Sequence, residues 1–195
     1  QEGHRSEDPE KILKDLRTLE KALDKEPNQS RYVFYLAEAH LLLNQLPEAL
    51  MRYEQRVSLG GSSQEIFWSL YQIAQLQEKL GHPSEVFIRS YCRAFQYRPS
   101  RVEPLFFLIN HYMATQCIYL AYLLAKEAIS IPIPTDAHYI QTWMYQWGVL
   151  LQFVKSAYAL GRMQEAKKAC RRLVSVSTLP ENYRSEILTV LDKCD

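Results

Sequence analysis

Glycine is scarce in this chain, with six among 195 residues. The small-residue cluster Gly60-Gly61-Ser62-Ser63 lacks the lysine that a phosphate-binding loop requires. The sequence also contains no nucleophile elbow, no paired metal-binding carboxylates and no spaced histidine ligands. These absences argue against an enzyme, and they predict that the chain binds neither a cofactor nor a metal.

Three further absences narrow the class of partner. Lys plus Arg total 23 against 22 acidic residues, so no field of one sign would attract nucleic acid. Cys92, Cys117, Cys170 and Cys194 lie far apart, which excludes a zinc knuckle or a two-spaced redox pair. The longest apolar run, Cys117 to Ala125, is too short to cross a bilayer. With no visible signal peptide, we expect a cytoplasmic protein.

A repeated pattern dominates the remaining sequence. Five segments align as copies of one helix-turn-helix unit of about 34 residues. Each is anchored near the end of its second helix, at Ala22, Arg56, Ala94, Ala128 and Leu173. The anchors are 34, 38, 34 and 45 residues apart, and the longer spacings reflect insertions at residues 60–63 and 131–143.

The side chains give this period a physical reason. In the unit beginning near Ser30, Val33, Leu36 and Ala37 lie on one face of the first helix, and Ala49 and Tyr53 lie on the second. Small residues let two antiparallel helices approach, and large residues three or four positions apart form the stripe that packs there. One such unit cannot cover its own stripe, so the next must pack on it.

Caps and prolines locate the helices. Asp8-Pro9 is typical of a helix start, and Ser62 with Glu65 and Ser100 with Glu103 have capping-box spacing. Together with the apolar period they predict about ten helices. The segment Ile131-Pro132-Ile133-Pro134 cannot be helical and predicts a long loop.

The pattern resembles the tetratricopeptide repeat (TPR) family over about residues 10 to 180. Leu160-Gly161 followed by Gln164-Glu165-Ala166, and Leu80-Gly81 followed by Ser84-Glu85-Val86, are similar to its turn and second-helix start. The resemblance implies an all-α, right-handed superhelical solenoid of antiparallel helix pairs.

We expect a single solenoid domain over residues 9–195, preceded by a disordered tail at 1–8. The predicted pieces are a half repeat at 9–27, repeats at 30–61, 63–99, 101–134 and 139–178, and a capping helix at 180–193. The incomplete first repeat, together with Gln1 in place of an initiator Met, suggests a fragment of a longer protein.

A narrower resemblance rests on blocks that are not general to TPR sequences, including residues 98–105, Ile131-Pro132-Ile133-Pro134 and Tyr145-Gln146-Trp147. They look like the TPR-type region that follows the catalytic domain of some bacterial family 2 type glycosyltransferases. This chain lacks the Asp-x-Asp metal motif of that catalytic domain, so the resemblance implies an accessory segment at most.

In TPR proteins the first helices line the concave side, and aromatic residues and Arg dominate binding hot spots. We therefore predict a partner-binding groove formed by Arg31, Phe34, Glu38, Trp68, Tyr71, Gln75, Glu103, Phe106, Asn110, Met113, Lys155 and Tyr158.

The predicted function is a non-catalytic interaction scaffold that holds a partner peptide or helix in this groove. Two alternatives stay open at this point: an accessory region of a glycosyltransferase, and a TPR-type chaperone for secreted proteins. The sequence does not identify the partner or the oligomeric state. The basic stripe of Lys167, Lys168, Arg171 and Arg172 predicts a solvated outer face.

Overall fold

The computed structural model describes residues 8–135 and 138–194, and within them every regular element is a helix. The α-helices are α1 (Pro9–Lys25), α2 (Ser30–Leu42), α3 (Leu46–Ser58), α4 (Ser63–Lys79), α5 (Ser84–Tyr97), α6 (Glu103–Ala114), α7 (Ile118–Ala128), α8 (Val149–Ala159), α9 (Met163–Val174) and α10 (Glu181–Lys193). A π-helical turn, Met144–Gly148, leads directly into α8. The expected count of about ten helices is confirmed for this part of the chain.

The chain divides into two compact units, residues 1–94 and 95–195, which we call unit 1 and unit 2. The boundary falls within α5. The prediction of one continuous domain is not tested by this division and stays a prediction, as does the hand of the superhelix. Of the predicted tail only Asp8 lies within the described residues, and there its side chain caps α1 by accepting the Glu10 N–H at 3.0 Å.

In unit 1, α1 packs against α2, and the predicted half repeat and repeat bounds stay predictions. Its buried residues Ile12, Leu16 and Leu23 form one apolar cluster with Val33 and Leu36 of α2. Apart from Pro9 and Leu13, the exposed residues of α1 are polar, and the buried apolar face is the one that packs against α2.

Four helix pairs are closed by the same turn. A residue with positive φ follows the first helix each time, at Asn44, Gly81, Gln116 and Gly161. The N–H of the next residue then donates to the carbonyl five residues earlier, as in His82 to Gln77 and Arg162 to Ala157, at 3.0 and 2.9 Å. This is the Schellman-type helix end. The turns predicted at Gly81 and Gly161 are confirmed.

Four of the five predicted anchor positions are buried, and Ala22 of α1 is only partly buried. Ala94 and Leu173 are fully buried, and Ala128 is almost fully buried, each near the end of the second helix of a pair. In α3 the equivalent position is Arg56, whose side chain is also fully buried. Its Nε donates to Glu65 Oε2 at 3.0 Å and its Nη1 to the Gly60 carbonyl at 2.5 Å. An ion pair therefore replaces small-residue packing at this repeat.

The capping-box spacing at Ser100 does not give a helix start there, so that expectation is wrong. Helix α6 begins at Glu103, with Val102 as its cap residue. Glu103 is held instead by its neighbour Arg101, and Pro104 suits the first turn because it needs no N–H partner there. At Ser62 the predicted cap is present, since Ser62 Oγ accepts the Glu65 N–H at 3.5 Å.

Unit 2 contains the long loop predicted from Ile131-Pro132-Ile133-Pro134, and one buried ion pair fastens it. Arg101 and Glu103 are both fully buried, with Arg101 Nη2 2.7 Å from Glu103 Oε1. Arg101 also donates to the carbonyls of His138 and Tyr139, at 3.1 and 2.9 Å. The loop therefore returns to the start of α6 before the π-helical turn begins.

Candidate functional site

The candidate site of unit 2 lies at the π-helical turn. Here the Val149 N–H donates to the Met144 carbonyl, five residues earlier, instead of four. A π-turn inserts one extra residue into a helix and often occurs at functional sites. In this chain it brings Trp143 and Gly148 onto the same side of the helix that ends as α8.

Gly148 is required by this arrangement because it carries no side chain. A Cβ at this position would lie 2.7 Å from Cζ3 of the Trp143 ring and 3.3 Å from Cε2 of Phe106. Both distances are shorter than a normal contact, so a larger residue would displace the indole. The Trp143 ring consequently lies directly against the helix backbone.

Four aromatic side chains follow one another at this site. The ring centroids of Phe106 and Trp143 are 5.0 Å apart and meet edge to face, at 85°. Trp143 and Trp147 are also 5.0 Å apart, and Trp147 is 5.4 Å from Tyr183 of α10. These separations are within the range of favourable aromatic pairs.

These rings line an open pocket of ≈ 340 Å³ on the surface of unit 2. Its lining residues come from α6, the π-helical turn and its flanks, α8 and α10, and none is charged. They are Phe106, Trp143, Trp147, Gly148, Leu151, Gln152 and Tyr183. Trp143, Trp147, Gln152 and Tyr183 are each partly exposed, so a ligand can reach them.

The buried ion pair of the fold positions this pocket. Glu103 accepts the backbone N–H of Gln141 at 3.2 Å and the Tyr145 hydroxyl at 2.9 Å. These contacts fix the residues on either side of Trp143. Burial, followed by the nearby Glu103 carboxylate, raises the pKa of Tyr145, so its hydroxyl stays protonated and keeps donating.

Helix α10 is fastened beside the pocket by polar contacts. Arg184 donates to the carbonyls of Val174 and Val176, the second at 3.0 Å. Thr178 donates to the Gln146 side chain at 3.1 Å. Tyr183 is thereby held against the end of α9 and the π-helical turn. Tyr183 of α10 thus forms part of the pocket wall, and the capping role predicted for residues 180–193 stays a prediction.

Two charged groups stand at the pocket rim. The Lys155 ammonium lies 5.6 Å from the centre of the Tyr183 ring and 3.1 Å from Glu186 Oε1. Lys155 belongs to the sequence-predicted groove and lies on the same face of α8 as Leu151 and Gln152, one turn further on. The pocket therefore adjoins the predicted first-helix surface in unit 2.

The structure buries half of the twelve predicted groove residues and leaves the other half partly or fully exposed. The buried ones are Phe34, Glu38, Trp68, Tyr71, Glu103 and Phe106. The accessible ones are Arg31, Gln75, Asn110, Met113, Lys155 and Tyr158. Direct partner contact by these residues stays a prediction, and for most of the buried ones the structure shows packing within the chain.

Glu38 illustrates this packing. Its Oε1 accepts the Trp68 indole N–H at 2.8 Å and the Tyr53 hydroxyl at 2.5 Å, so the carboxylate joins three helices of unit 1. Gln75 likewise donates to the Tyr71 hydroxyl at 3.1 Å, and exposed Arg31 donates to Tyr35. Phe106 differs because it is buried and still lines the pocket.

Sequence reasoning missed Trp143, Trp147 and Tyr183 as a group. One signal was present: two of the three tryptophans lie four residues apart and precede a glycine. On an ordinary helix that spacing indicates only a shared face. The π-helical turn, which the apolar period does not reveal, brings Gly148 under the Trp143 ring.

The described residues contain no helix with the length and apolar character needed to cross a membrane. Residues 8–135 and 138–194 also contain no group of three His, Cys, Asp or Glu side chains placed to hold a metal ion.

Comparisons with known proteins connect this fold to solved structures only. No protein-family model matches the chain, and no curated protein matches it. A crystal structure of MamA is 14% identical, with a TM-score of 0.63 over 88% of this chain and 89% of that one. A second MamA structure is 14% identical, with a TM-score of 0.62 over 88% and 83%.

The structure of TTC0263, a thermophilic TPR protein in Thermus thermophilus, is 15% identical. Its TM-score is 0.55, over 90% of this chain and 88% of that one. The chain therefore has an all-α, TPR-like solenoid fold. The resemblance to a glycosyltransferase-associated region receives no support from these neighbours.

Proposed function

We propose that this chain is a non-catalytic protein-interaction module, and that unit 2 holds a segment of its partner at the aromatic pocket. The observation that carries the proposal is the row of partly exposed rings at Trp143, Trp147 and Tyr183. Large rigid aromatic side chains provide contact area at low entropic cost, and such residues dominate binding hot spots.

The surroundings of the pocket fit a peptide contact. Asn110 and Met113 lie one and two turns beyond Phe106 on α6, and both are partly exposed. Asn110 offers a side-chain amide that can pair with a peptide backbone. Asn110 and Met113 thus extend the accessible surface of α6 beyond the aromatic pocket, with one polar and one apolar side chain.

We include the absence of catalysis in this proposal because the sequence supplies no convergent set of reactive groups. The pocket lining is uncharged and holds no nucleophile or general base. Turnover that copurifies with the chain and disappears after a single substitution within it would contradict this part of the proposal.

The test begins by identifying a partner. The full chain and the variant Trp147→Ala are immobilised, bound proteins are identified by mass spectrometry, and the leading candidate is purified. Its affinity is then measured by calorimetry for the wild type and each variant. We expect Trp147→Ala to cost about 2 kcal/mol or more, as for a central aromatic anchor.

The matched control is Arg171→Ala on the exposed outer side of α9. We expect it to change affinity by no more than about 0.5 kcal/mol, in keeping with an exposed charge. Circular dichroism verifies that each variant folds. If Arg171→Ala weakens binding while Trp147→Ala leaves it intact, the basic outer face is the contact surface and the proposal is wrong.

A further inference from the structure

We propose that the aromatic pocket of unit 2 binds an extended, proline-containing segment of a partner protein. This inference rests on the proposed interaction function and names the chemistry of the bound segment. It follows from three properties of the pocket: its charge, its free hydrogen-bonding groups and the nature of its walls.

The charge of the pocket favours a neutral occupant. Its lining residues are all uncharged. At the rim, the Lys155 ammonium already lies over the Tyr183 ring, and Glu186 is paired with that ammonium at 3.1 Å. A cationic guest would meet this ammonium without a free carboxylate to offset it, and an anionic guest would compete with Glu186 for Lys155.

The pocket also presents hydrogen-bonding groups that the protein does not use. Within residues 8–135 and 138–194, the Trp147 indole N–H and the Gln152 side-chain amide have no hydrogen-bond partner. Trp143 differs, because its indole N–H donates to the Gln141 side chain at 3.3 Å. The pocket therefore offers free donors for carbonyl groups.

Free donors favour an extended segment over a helix. The carbonyls inside a helix accept hydrogen bonds within the helix itself, whereas those of an extended backbone are available. Proline adds two features: it has no backbone N–H to satisfy, and it predisposes the chain to the polyproline II conformation. Grooves lined by aromatic side chains recognise segments of this kind.

The experiment uses the full chain and a synthetic ten-residue proline peptide, with a glycine-serine peptide of equal length as the reference. Proton-nitrogen NMR follows the three indole N–H resonances of Trp68, Trp143 and Trp147, assigned with Trp→Phe variants. We expect the proline peptide to shift the Trp147 resonance most and the glycine-serine peptide to leave all three unchanged.

Two substitutions test the free donors. Trp147→Phe keeps an aromatic wall and removes the N–H, and Gln152→Leu keeps the approximate volume and removes the amide. We expect each to raise the peptide Kd about tenfold, the effect of a lost hydrogen bond of about 1.4 kcal/mol. Trp143→Phe removes an N–H that is already engaged, so we expect a smaller rise.

Gln164→Leu is the matched control, because Gln164 is exposed on α9 and lies outside the pocket. The same titrations with tetramethylammonium and with a helix-forming alanine-lysine peptide test the other two kinds of occupant. Tighter binding of either one at Trp147 would overturn the inference, as would an equal response to the glycine-serine peptide.

The outcome separates this inference from the proposed function. If no proline peptide binds, but Trp147→Ala weakens binding of the partner identified by mass spectrometry, the interaction module stands and the proline inference is wrong. If the proline peptide binds and Trp147→Phe, Gln152→Leu and Gln164→Leu all leave its Kd unchanged, the peptide lies elsewhere and the inference is also wrong.

Discussion

Each unit contains a buried arginine paired with a glutamate, and the two pairs differ in how much water reaches the carboxylate. In unit 1 the Arg56 side chain is fully buried, while that of Glu65 is 19% exposed. In unit 2 the side chains of Arg101 and Glu103 are 1% and 0% exposed. Solvent therefore reaches the carboxylate of the unit 1 pair, whereas both side chains of the unit 2 pair are shielded from solvent.

The partners of the two pairs explain this difference. Arg56 joins the end of α3 to the start of α4 and bonds the Gly60 carbonyl in the short loop between them. Arg101 and Glu103 instead hold residues 138–145 through two carbonyls, one backbone N–H and one hydroxyl. The ion pair thus makes one hydrogen bond to the short loop of unit 1 and several to the long loop of unit 2.

The comparison also indicates what each pair does for the molecule. Buried ion pairs contribute little net stability relative to apolar packing, because both charges lose hydration, but leaving one charge alone is costly. We therefore regard the unit 2 pair as a positioning device for the loop and the aromatic pocket. The unit 1 pair connects the end of α3 to the start of α4, and Arg56 occupies a position where a small anchor residue would otherwise pack.

The largest effect is expected at the sealed pair. Glu103→Gln leaves the Arg101 guanidinium buried without its counter-charge, and it weakens the acceptor for Tyr145. We expect unit 2 to lose about 3–5 kcal/mol of unfolding free energy. Urea denaturation followed by circular dichroism measures the loss.

The control for this variant is Glu127→Gln, the same substitution at an exposed position of α7. It should change stability by no more than about 0.5 kcal/mol. A second readout connects the pair to the pocket: in Glu103→Gln the Trp143 and Trp147 indole resonances should shift. If stability falls by less than about 1 kcal/mol and neither resonance moves, Glu103 does not position the pocket.

A smaller effect is expected at the half-open pair. In Glu65→Gln the amide oxygen can still accept from Arg56, the Gly60 carbonyl remains in place and water has access to the site. We expect a loss of about 2 kcal/mol, the range of a hydrogen bond to a charged group. The same denaturation experiment applies, with Glu54→Gln on the exposed side of α3 as the control.

Equal losses in Glu65→Gln and Glu103→Gln would contradict the comparison, because solvent access to the carboxylate would then have no influence. A larger loss in Glu65→Gln would reverse it.

The two ion pairs also show which features of the fold could be predicted from the sequence. The period of about 34 residues, the helix pairs and the glycine turns could be predicted, since each depends on local spacing. Arg56 was identified as an anchor, but its buried pairing with Glu65 could not be, because that contact joins different helices. Spacing suggested Ser100 as a cap for Glu103, and tertiary contacts gave Glu103 another role.

The site was less predictable than the fold. Phe106 and Lys155 belong to the predicted groove, and the first lines the pocket while the second stands at its rim. Glu38 and Trp68 looked like surface residues because a helical period places them on one face, yet they bond to each other in the interior. Burial by a neighbouring helix pair is a long-range property that a repeat pattern does not specify.

The smallest effect is expected at Glu165, whose side chain is 35% exposed and therefore the most accessible of the three carboxylates. Glu165 on α9 accepts from the Tyr122 hydroxyl at 2.7 Å and from Arg162 at 3.0 Å, and it pairs with Lys126 at 3.5 Å. The Tyr122 hydrogen bond, followed by these two cations, lowers the pKa of Glu165.

The direction of the pH dependence follows from that pKa. A carboxyl whose pKa is lower in the folded state stabilises the fold above its unfolded pKa of about 4.3, and this contribution is lost as the pH falls through the folded value. We therefore expect Glu165→Gln to be slightly less stable than the wild type at pH 7, with a smaller difference at pH 3. Urea denaturation at both pH values, at low salt, measures the difference.

Added salt should reduce the pH 7 difference because the pairs are exposed. A loss at pH 7 as large as that of Glu65→Gln would show that burial does not rank these carboxylates. A loss that does not shrink at pH 3 would show that it does not come from the ionised carboxylate.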